Sequence, residues 1–371
     1  MNITHFVENL NRGGLERTVI DLVRAQVELG HRCQIICLFE RGTLADELAQ
    51  LDVPVHACRK RHGFDMAALR LARRCLRAHA TDILHTHNAA AHYHAVLASL
   101  GLSIRRIVNT RHGMGAMQTA SRREWLFRRS LFSTDAIVTV CEAARRQLLA
   151  AASIPAAKLF AIPNGIRIER FRTSDVESRS ALVEMLGLPA RTRLIGTVGR
   201  LVPAKDQTGL ISAFAALRER FADCALVIIG DGALREKLAS QTRELAVDGR
   251  VFLLGDRNDV AELLRGLDVF ALSSLTEGYS IALLEACATA LPIVATDVGG
   301  NAEIVRDGVN GRLVPARAPA ALAHALHELL GDPERARAMG SRGRAWASKE
   351  GSFTTMAARY DALYAVAGAR A

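Results

Sequence analysis

The sequence predicts an α/β protein built from two doubly wound parallel-sheet domains, and three observations carry that prediction. Short runs rich in Val, Ile and Leu alternate with segments of helical period from end to end. The alternation is interrupted once, by a polar stretch over 175–191, and then restarts. Aromatic residues make up only 5% of the chain while half of it is apolar, a mixture suited to helices packed on parallel strands rather than to an all-β sandwich. At 371 residues the chain also exceeds what one hydrophobic core organises.

Residues 2–7 open the first domain as a strand, after which Leu15, Val19, Leu22 and Val23 recur at helical spacing. Further strands are expected at 34–38, 53–57, 82–85, 106–109, 136–140 and 159–162, with helices in most of the gaps. Beyond the polar stretch the strands are 194–198, 225–229, 251–254, 269–272, 293–295 and 312–314. Leu210, Ile211, Phe214 and Leu217 mark one helix between them, and Ile281, Leu284 and Ala288 another. The first domain is placed at 1–174, a linker at 175–191 and the second domain at 192–345. The tail 346–371, with Phe353, Met356, Tyr360, Leu363 and Tyr364 at helical spacing, is expected to pack back on the first domain. Open α/β sheets bind ligands beyond the carboxyl ends of their strands, so a cleft between the two domains is the expected site.

The charge is unevenly divided. Residues 1–180 hold 26 Lys and Arg against 16 Asp and Glu, whereas 181–371 hold 22 of each, so the whole excess of +10 lies in the first half. It is concentrated in Arg59-Lys60-Arg61, Arg105-Arg106, Arg122-Arg123 and Arg128-Arg129. Such clusters fit an anionic membrane surface or an anionic acceptor, and a merely solvated Arg-rich surface explains them equally well. The pairs are not interleaved with stacking aromatics, which speaks against nucleic acid. No run of 18 apolar residues is present, and the first eight residues read as a strand rather than as a secretory signal. Seven scattered cysteines without a C-x-x-C pair are expected to be buried and reduced, as in a cytoplasmic protein.

Three clusters carry candidate chemistry. Gly13 and Gly14 follow the first strand and open a helix, where backbone N–H groups can approach an anion; a tight strand-to-helix turn accounts for them as readily. The G-x-G-x-x-G dinucleotide fingerprint is absent there, against a simple dehydrogenase. Arg200 and Lys205 leave the first strand of the second half in a loop, where cations can neutralise a departing diphosphate, or can be ordinary surface charges. The third cluster runs from Ser274 to Glu285. Glu277 stands before the expected helix and Glu285 about two turns along it, with a helix N-terminus between them for a phosphate. His85, His87, His92 and His94 look at first like metal ligands. However, His92 and His94, two apart on a helix, do not share a face, so no metal site is expected.

This third cluster sits in an ordered series. It follows Ile162-Pro163-Asn164-Gly165-Ile166 and Ile229-Gly230-Asp231-Gly232, and precedes Pro292 through Val305 and Asp307-Gly308-Val309-Asn310-Gly311. From Gly13-Gly14 to Gly311 the series resembles the retaining GT-B glycosyltransferases of family 4. The resemblance implies a GT-B fold and transfer of a sugar from a nucleoside diphosphate sugar, UDP-sugar favoured, with the donor as substrate and no cofactor. Its acceptor would be a glycan or lipid-linked hydroxyl in bacterial envelope or exopolysaccharide synthesis, reached peripherally at the cytoplasmic face of the inner membrane.

Carried over by position, Glu285 would hold the donor ribose and Glu277 the transferred sugar. Arg200 and Lys205 would grip the diphosphate, and Gly278, Tyr279 and Ser280 would offer backbone contacts. Gly14, beside Gly13, would close over the phosphates, and His112 would face the reacting sugar. The catalytic set would be His112, Glu277, Arg200 and Lys205. The family commonly has Gly where Ala290 stands, which leaves that helix end open, and often Ser where Cys141 stands. No Asp-x-Asp occurs, so the metal–diphosphate motif of the other main glycosyltransferase fold is missing and metal-independent chemistry is expected. A sugar-nucleotide epimerase of the same fold and a non-catalytic assembly protein are the rival readings. A phosphorylase would need a cofactor-bearing lysine that no segment suggests.

Overall fold

A computed structural model of the chain describes residues 1–11, 13–113, 122–151 and 154–366, with only the backbone of 122 and 123. Two units divide it: residues 1–165 with 353–371, and residues 166–352.

The first unit holds a seven-stranded sheet. Its strands are β1 (Asn2–Val7), β2 (Arg32–Cys37), β3 (Val55–Ala57), β4 (Ile83–His87), β5 (Arg106–Arg111), β6 (Ala136–Thr139) and β7 (Leu159–Ala161). All pairings are parallel, in the order β3-β2-β1-β4-β5-β6-β7. The second unit holds β8 (Arg193–Val198), β9 (Cys224–Ile229), β10 (Val251–Gly255), β11 (Val269–Leu272), β12 (Ile293–Thr296) and β13 (Arg312–Val314), also parallel, in the order β10-β9-β8-β11-β12-β13. Each sheet is a doubly wound Rossmann-like layer whose strand order reverses once, between β1 and β4 and between β8 and β11. Those reversals open the crevices in which such sheets bind ligands.

Burial on both faces explains why these strands read as near-continuous apolar runs. In the first unit, Ile3, Val7, Ile35 and Val108 pack under the helix Gly14–Glu28 and the C-terminal helix Phe353–Ala365, while Phe6, Ile36, Leu84 and Ile107 form the opposite face. In the second, Ile195, Leu226, Ile228 and Val269 pack against Leu210, Phe214 and Leu326. All seven cysteines are buried and free. Cys141 Sγ accepts the Ala144 N–H at 3.3 Å at the start of the helix Glu142–Ala151, the place of the serine common in the family. Among the described residues, no helix is long and apolar enough to cross a membrane.

The unit boundaries differ from the sequence-based ones. The expected linker belongs to the second unit, because it contains the helix Val176–Met185. Asp175 caps that helix through the Ser178 N–H at 2.8 Å and pairs with Arg265. Leu182 packs against Gly266, where an added Cβ would stand 2.7 Å from its Cδ2. The later boundary falls at 352/353 rather than 345/346, since the helix Pro333–Glu350 runs through the expected break and the Ile166 N–H bonds the Gly351 carbonyl at 2.9 Å.

Ala290 has a definite geometry. The helix Ile281–Ala288 ends with the Ala290 N–H on Cys287 O at 2.9 Å and the Leu291 N–H on Ala286 O at 3.0 Å, the paired bonds of a Schellman turn. This places Ala290 at φ 61°, and Gly340 of the helix Pro333–Glu350 lies so close that a Cβ there would stand 2.0 Å from Ala290 O. Alanine in the left-handed region costs about 1–2 kcal/mol. We therefore expect Ala290→Gly to stabilise the second unit by roughly 1 kcal/mol, a rise in Tm of about 2–4 °C. Calorimetry showing no rise would contradict the strain.

Candidate active site

The second unit's site is built where β8 and β11 diverge. β8 ends at Val198, and Arg200 follows as an exposed side chain whose carbonyl accepts Nε2 of the buried Gln207 at 2.9 Å. The turn Pro203–Lys205 leads to Asp206 at φ 47°, which caps the helix Gln207–Arg218 through the Gly209 N–H at 3.1 Å. Gly230, closing β9, supports this turn from beside it at φ 133°; a Cβ there would stand 2.1 Å from Gly199 O. The loop after β11 is stitched to the same turn. The Leu275 N–H bonds Ala204 O at 2.8 Å, and Ser273 Oγ donates to the carbonyls of Lys205 (3.0 Å) and Asp206 (2.8 Å).

The stitching brings Lys205 Nζ to 2.5 Å from Glu277 Oε1, and Ser274 Oγ donates to the same oxygen at 2.6 Å. The side chains are 23% and 10% exposed, so this ion pair is largely withdrawn from water. Ser274 is itself held by β12, whose Thr296 Oγ1 donates to its carbonyl at 2.6 Å. Glu277 keeps Oε2 for a further donor, and Lys205 keeps two of its three N–H groups.

Ser280 caps the helix Ile281–Ala288 through the Leu283 N–H at 3.4 Å, so the leading N–H groups of that helix follow directly on Gly278 and Tyr279. Glu285 lies little more than one turn into the helix. The expected two-turn rise from Glu277 does not occur, because 277–280 are non-helical and Gly278 O is tied to the Gly300 N–H at 2.9 Å. Arg200, Lys205, Glu277, Gly278, Tyr279, Ser280 and Glu285 thus all belong to the second unit.

The first unit holds Gly13, Gly14 and His112. Gly13 is the extended N-cap of the helix Gly14–Glu28, and a Cβ there would stand 2.3 Å from Glu16 Oε2. Arg12, between Asn11 and Gly13 in the motif, lies outside the described residues. His112 follows β5, and its Nε2 is 2.9 Å from His87 Nδ1. His87 Nε2 in turn is 3.1 Å from His5 Nδ1, and His5 Nε2 is 2.7 Å from Gln26 Oε1. His85 stands beside them, bonded to Thr110 Oγ1 and the Tyr364 hydroxyl, each at 2.7 Å.

Burial pushes the His5 ring down to about 4, and those of His112 and His92 to about 3. It lowers His85 and His87 well below the usual histidine range, with neighbouring rings adding to the effect. The four histidines grouped in the sequence therefore separate. His92 bonds Thr86 and Thr134, and His94 bonds its own helix at Ala90 O, while His85 and His87 join His5 and His112.

A cavity of about 900 Å³ opens at the ends of β1, β2 and β3, lined by Asn9, Asn11, Phe39, Glu40, Arg41, Arg59 and Lys60 among others. Gly42 also lines it, at φ 79°, where a Cβ would stand 2.2 Å from the Leu10 carbonyl carbon.

Residues 12–170 match the family model described as Glycosyltransferase Family 4, and residues 178–346 match Glycosyl transferases group 1. The chain is 36% identical over 274 residues to a GDP-mannose-dependent alpha-(1-6)-phosphatidylinositol monomannoside mannosyltransferase of Mycolicibacterium smegmatis, with 69% of each chain covered. The chain belongs to glycosyltransferase family 4. This glycosyltransferase is also 28% identical to an Escherichia coli UDP-Gal:alpha-D-GlcNAc-diphosphoundecaprenol alpha-1,3-galactosyltransferase, over 67% of its own length and 66% of the relative's. The Mycobacterium tuberculosis counterpart of the mannosyltransferase is matched over 60% of its length. The fold of the present chain is that of Anabaena Alr3699/HepE, at a TM-score of 0.87 with 22% identity, covering 99% of this chain and 100% of that one. The GT-B architecture expected from the sequence is the architecture present.

Sequence reasoning missed Ser274 as Glu277's second partner, and missed His5 and Gln26 altogether. The signal for Ser274 was its place three residues before Glu277. For His5, the register of β1 on β4, which sets it opposite His85, is the only signal, and no local pattern encodes it.

Proposed function

We propose that this glycosyltransferase moves a hexosyl unit from a nucleoside diphosphate sugar to a hydroxyl of a lipid-linked or polysaccharide acceptor of the bacterial envelope or exopolysaccharide, with retained anomeric configuration. The observation that carries this reading is the Lys205–Glu277–Ser274 cluster at the β8/β11 reversal, beside Arg200 and the N-terminus of the helix Ile281–Ala288. Arg200, the two remaining N–H groups of Lys205 and that helix end stabilise the diphosphate as it departs, without a metal. Glu277 Oε2 accepts a hydroxyl of the transferred sugar and Glu285 accepts the ribose diol. Gly278, Tyr279 and Ser280 contribute backbone contacts, Gly13 and Gly14 backbone N–H groups toward phosphate, and His112 a contact to the reacting sugar. The anomeric C–O bond to phosphate breaks with oxocarbenium character, the acceptor oxygen bonds the anomeric carbon on the same face, and its proton passes to a phosphate oxygen.

Uridine is the favoured base, supported by the UDP and UDP-glucose named for structural neighbours and the UDP-Gal named for a relative. Guanosine is the second reading, supported by the GDP-mannose dependence named for relatives at 35–36% identity. Thermal-shift titration against UDP-, GDP- and ADP-sugars tests both. A true donor at a hundred times its Kd stabilises by about 2.7 kcal/mol. No shift with any of the three would refute the donor reading.

Both relatives' names carry a lipid acceptor with phosphate, which suits the cavity bearing Arg41, Arg59 and Lys60. The helix Arg122–Ser130 supports peripheral membrane docking, since Trp125 and, just beyond it, Phe132 are exposed beside Arg128 and Arg129. Each basic side chain near an anionic surface contributes about 1 kcal/mol. Arg128→Gln with Arg129→Gln should therefore weaken flotation with anionic liposomes roughly 30-fold. Equal binding to neutral and anionic liposomes would contradict the docking.

A further inference from the structure

The buried histidines form a chain whose hydrogen bonds have one direction. Gln26 Oε1 lies 2.7 Å from His5 Nε2, and the Cys33 thiol also donates to it at 3.9 Å. The Gln26 amide nitrogen donates to the Tyr364 hydroxyl at 3.3 Å, so the end facing His5 is the oxygen; an amide oxygen only accepts, and His5 therefore carries its proton on Nε2. Burial keeps the rings neutral, so each has one N–H to give. His5 Nδ1 must then accept from His87 Nε2, and His87 Nδ1 from His112 Nε2. The chain ends at His112 Nδ1, which is buried and has no hydrogen-bond partner among the described residues. A lone pair there costs less than a stranded N–H, since orphaned buried donors are the rarer case.

We propose that Gln26, acting through His5 and His87, fixes His112 in its Nε2–H form, so that His112 offers Nδ1 as a hydrogen-bond acceptor to a hydroxyl of the bound sugar. The last clause rests on the reading of His112 as facing the donor sugar. Gln26, His5 and His87 are positioning residues, and none need touch substrate. The same rings come close enough to share a cation, the ligand atoms of His5, His85 and His87 lying within 4.8 Å of one another. Yet both nitrogens of all three are already taken by protein partners.

The test is the tautomer itself, read from ¹⁵N–¹H ring correlations of the full chain labelled at histidine, without substrate, with signals assigned by single His→Ala losses. The expected result is the Nε2–H form at His5, His87 and His112. An Nδ1–H form or a mixture at His112, or stoichiometric metal in the purified protein, would overturn the proposal. Gln26→Met should turn His112 into a mixture and lower kcat/KM about tenfold, the loss of one directing hydrogen bond. Tyr360→Phe, at the end of the separate Thr110 branch, should leave the His112 tautomer unchanged. A pure Nε2–H signal in Gln26→Met would overturn the anchoring role, and His5→Phe breaks the chain one link on should Gln26→Met not fold. Full activity of His112→Ala would overturn the sugar-facing reading, a failure separate from a wrong tautomer.

Discussion

Lys205→Ala is expected to lower kcat by about 10²–10³-fold, the loss typical of removing one charged or polar group aimed at developing charge. The variant also strands Glu277, whose side chain is only 10% exposed and retains just the Ser274 hydroxyl. Leaving a mostly buried charge unpaired destabilises by roughly 1–3 kcal/mol when part of it reaches solvent. Turnover and stability can be separated by adding Glu277→Gln. The double variant should recover most of the lost Tm, because the stranded charge is gone, while transfer stays as slow as in Lys205→Ala or slower. Near-normal turnover in Lys205→Ala would refute the assignment of the lysine to the leaving diphosphate.

Acidification is expected to unfold the first unit ahead of the second. His5, His85, His87, His92 and His112 all lie in the first unit, and burial lowers all five. The unfolded chain binds protons at these rings below pH 6.5, while the folded chain does not until about pH 4 at His5 and about pH 3 at His92 and His112, with His85 and His87 also lowered. Unfolding is therefore favoured as pH falls through that window, and stability is regained as pH rises above 6.5. His5, His92 and His112 each contribute about 1.4 kcal/mol per pH unit, so the three together amount to something on the order of 6 kcal/mol by pH 5, within the range of a whole domain's stability, and His85 and His87 act in the same direction. The second unit buries no histidine, its His324 and His327 lying outside its core. Hydrogen exchange read unit by unit and corrected for intrinsic rates checks this. Equal protection of the two units at pH 5 and pH 7 would contradict it.

What was legible in the sequence follows from what is local. Strands buried on both faces write themselves as apolar runs, so the two sheets and the strand ends carrying Arg200 and Glu277 could be placed without coordinates. The helix start after Glu277 was misjudged, although Ser280 three residues before Leu283 is a readable cap. The segment 175–191 looked like a bridge because its helix is polar and short, yet Asp175 with Ser178 announces a capped helix. What no local pattern carries is the histidine chain. Residues 5, 26, 87 and 112 meet only through strand register and the packing of the helix Gly14–Glu28 on β1, and tertiary register has no signature in any one segment.

The most direct measurement is a crystal structure of the chain soaked with a nucleoside diphosphate hexose. The diphosphate should lie within hydrogen-bond distance of Arg200, Lys205 and the N-terminus of the helix Ile281–Ala288, with the ribose on Glu285 and the hexose on Glu277. A nucleotide bound elsewhere on the second unit, with Glu277 and Lys205 still closed on each other and untouched, would contradict the central claim.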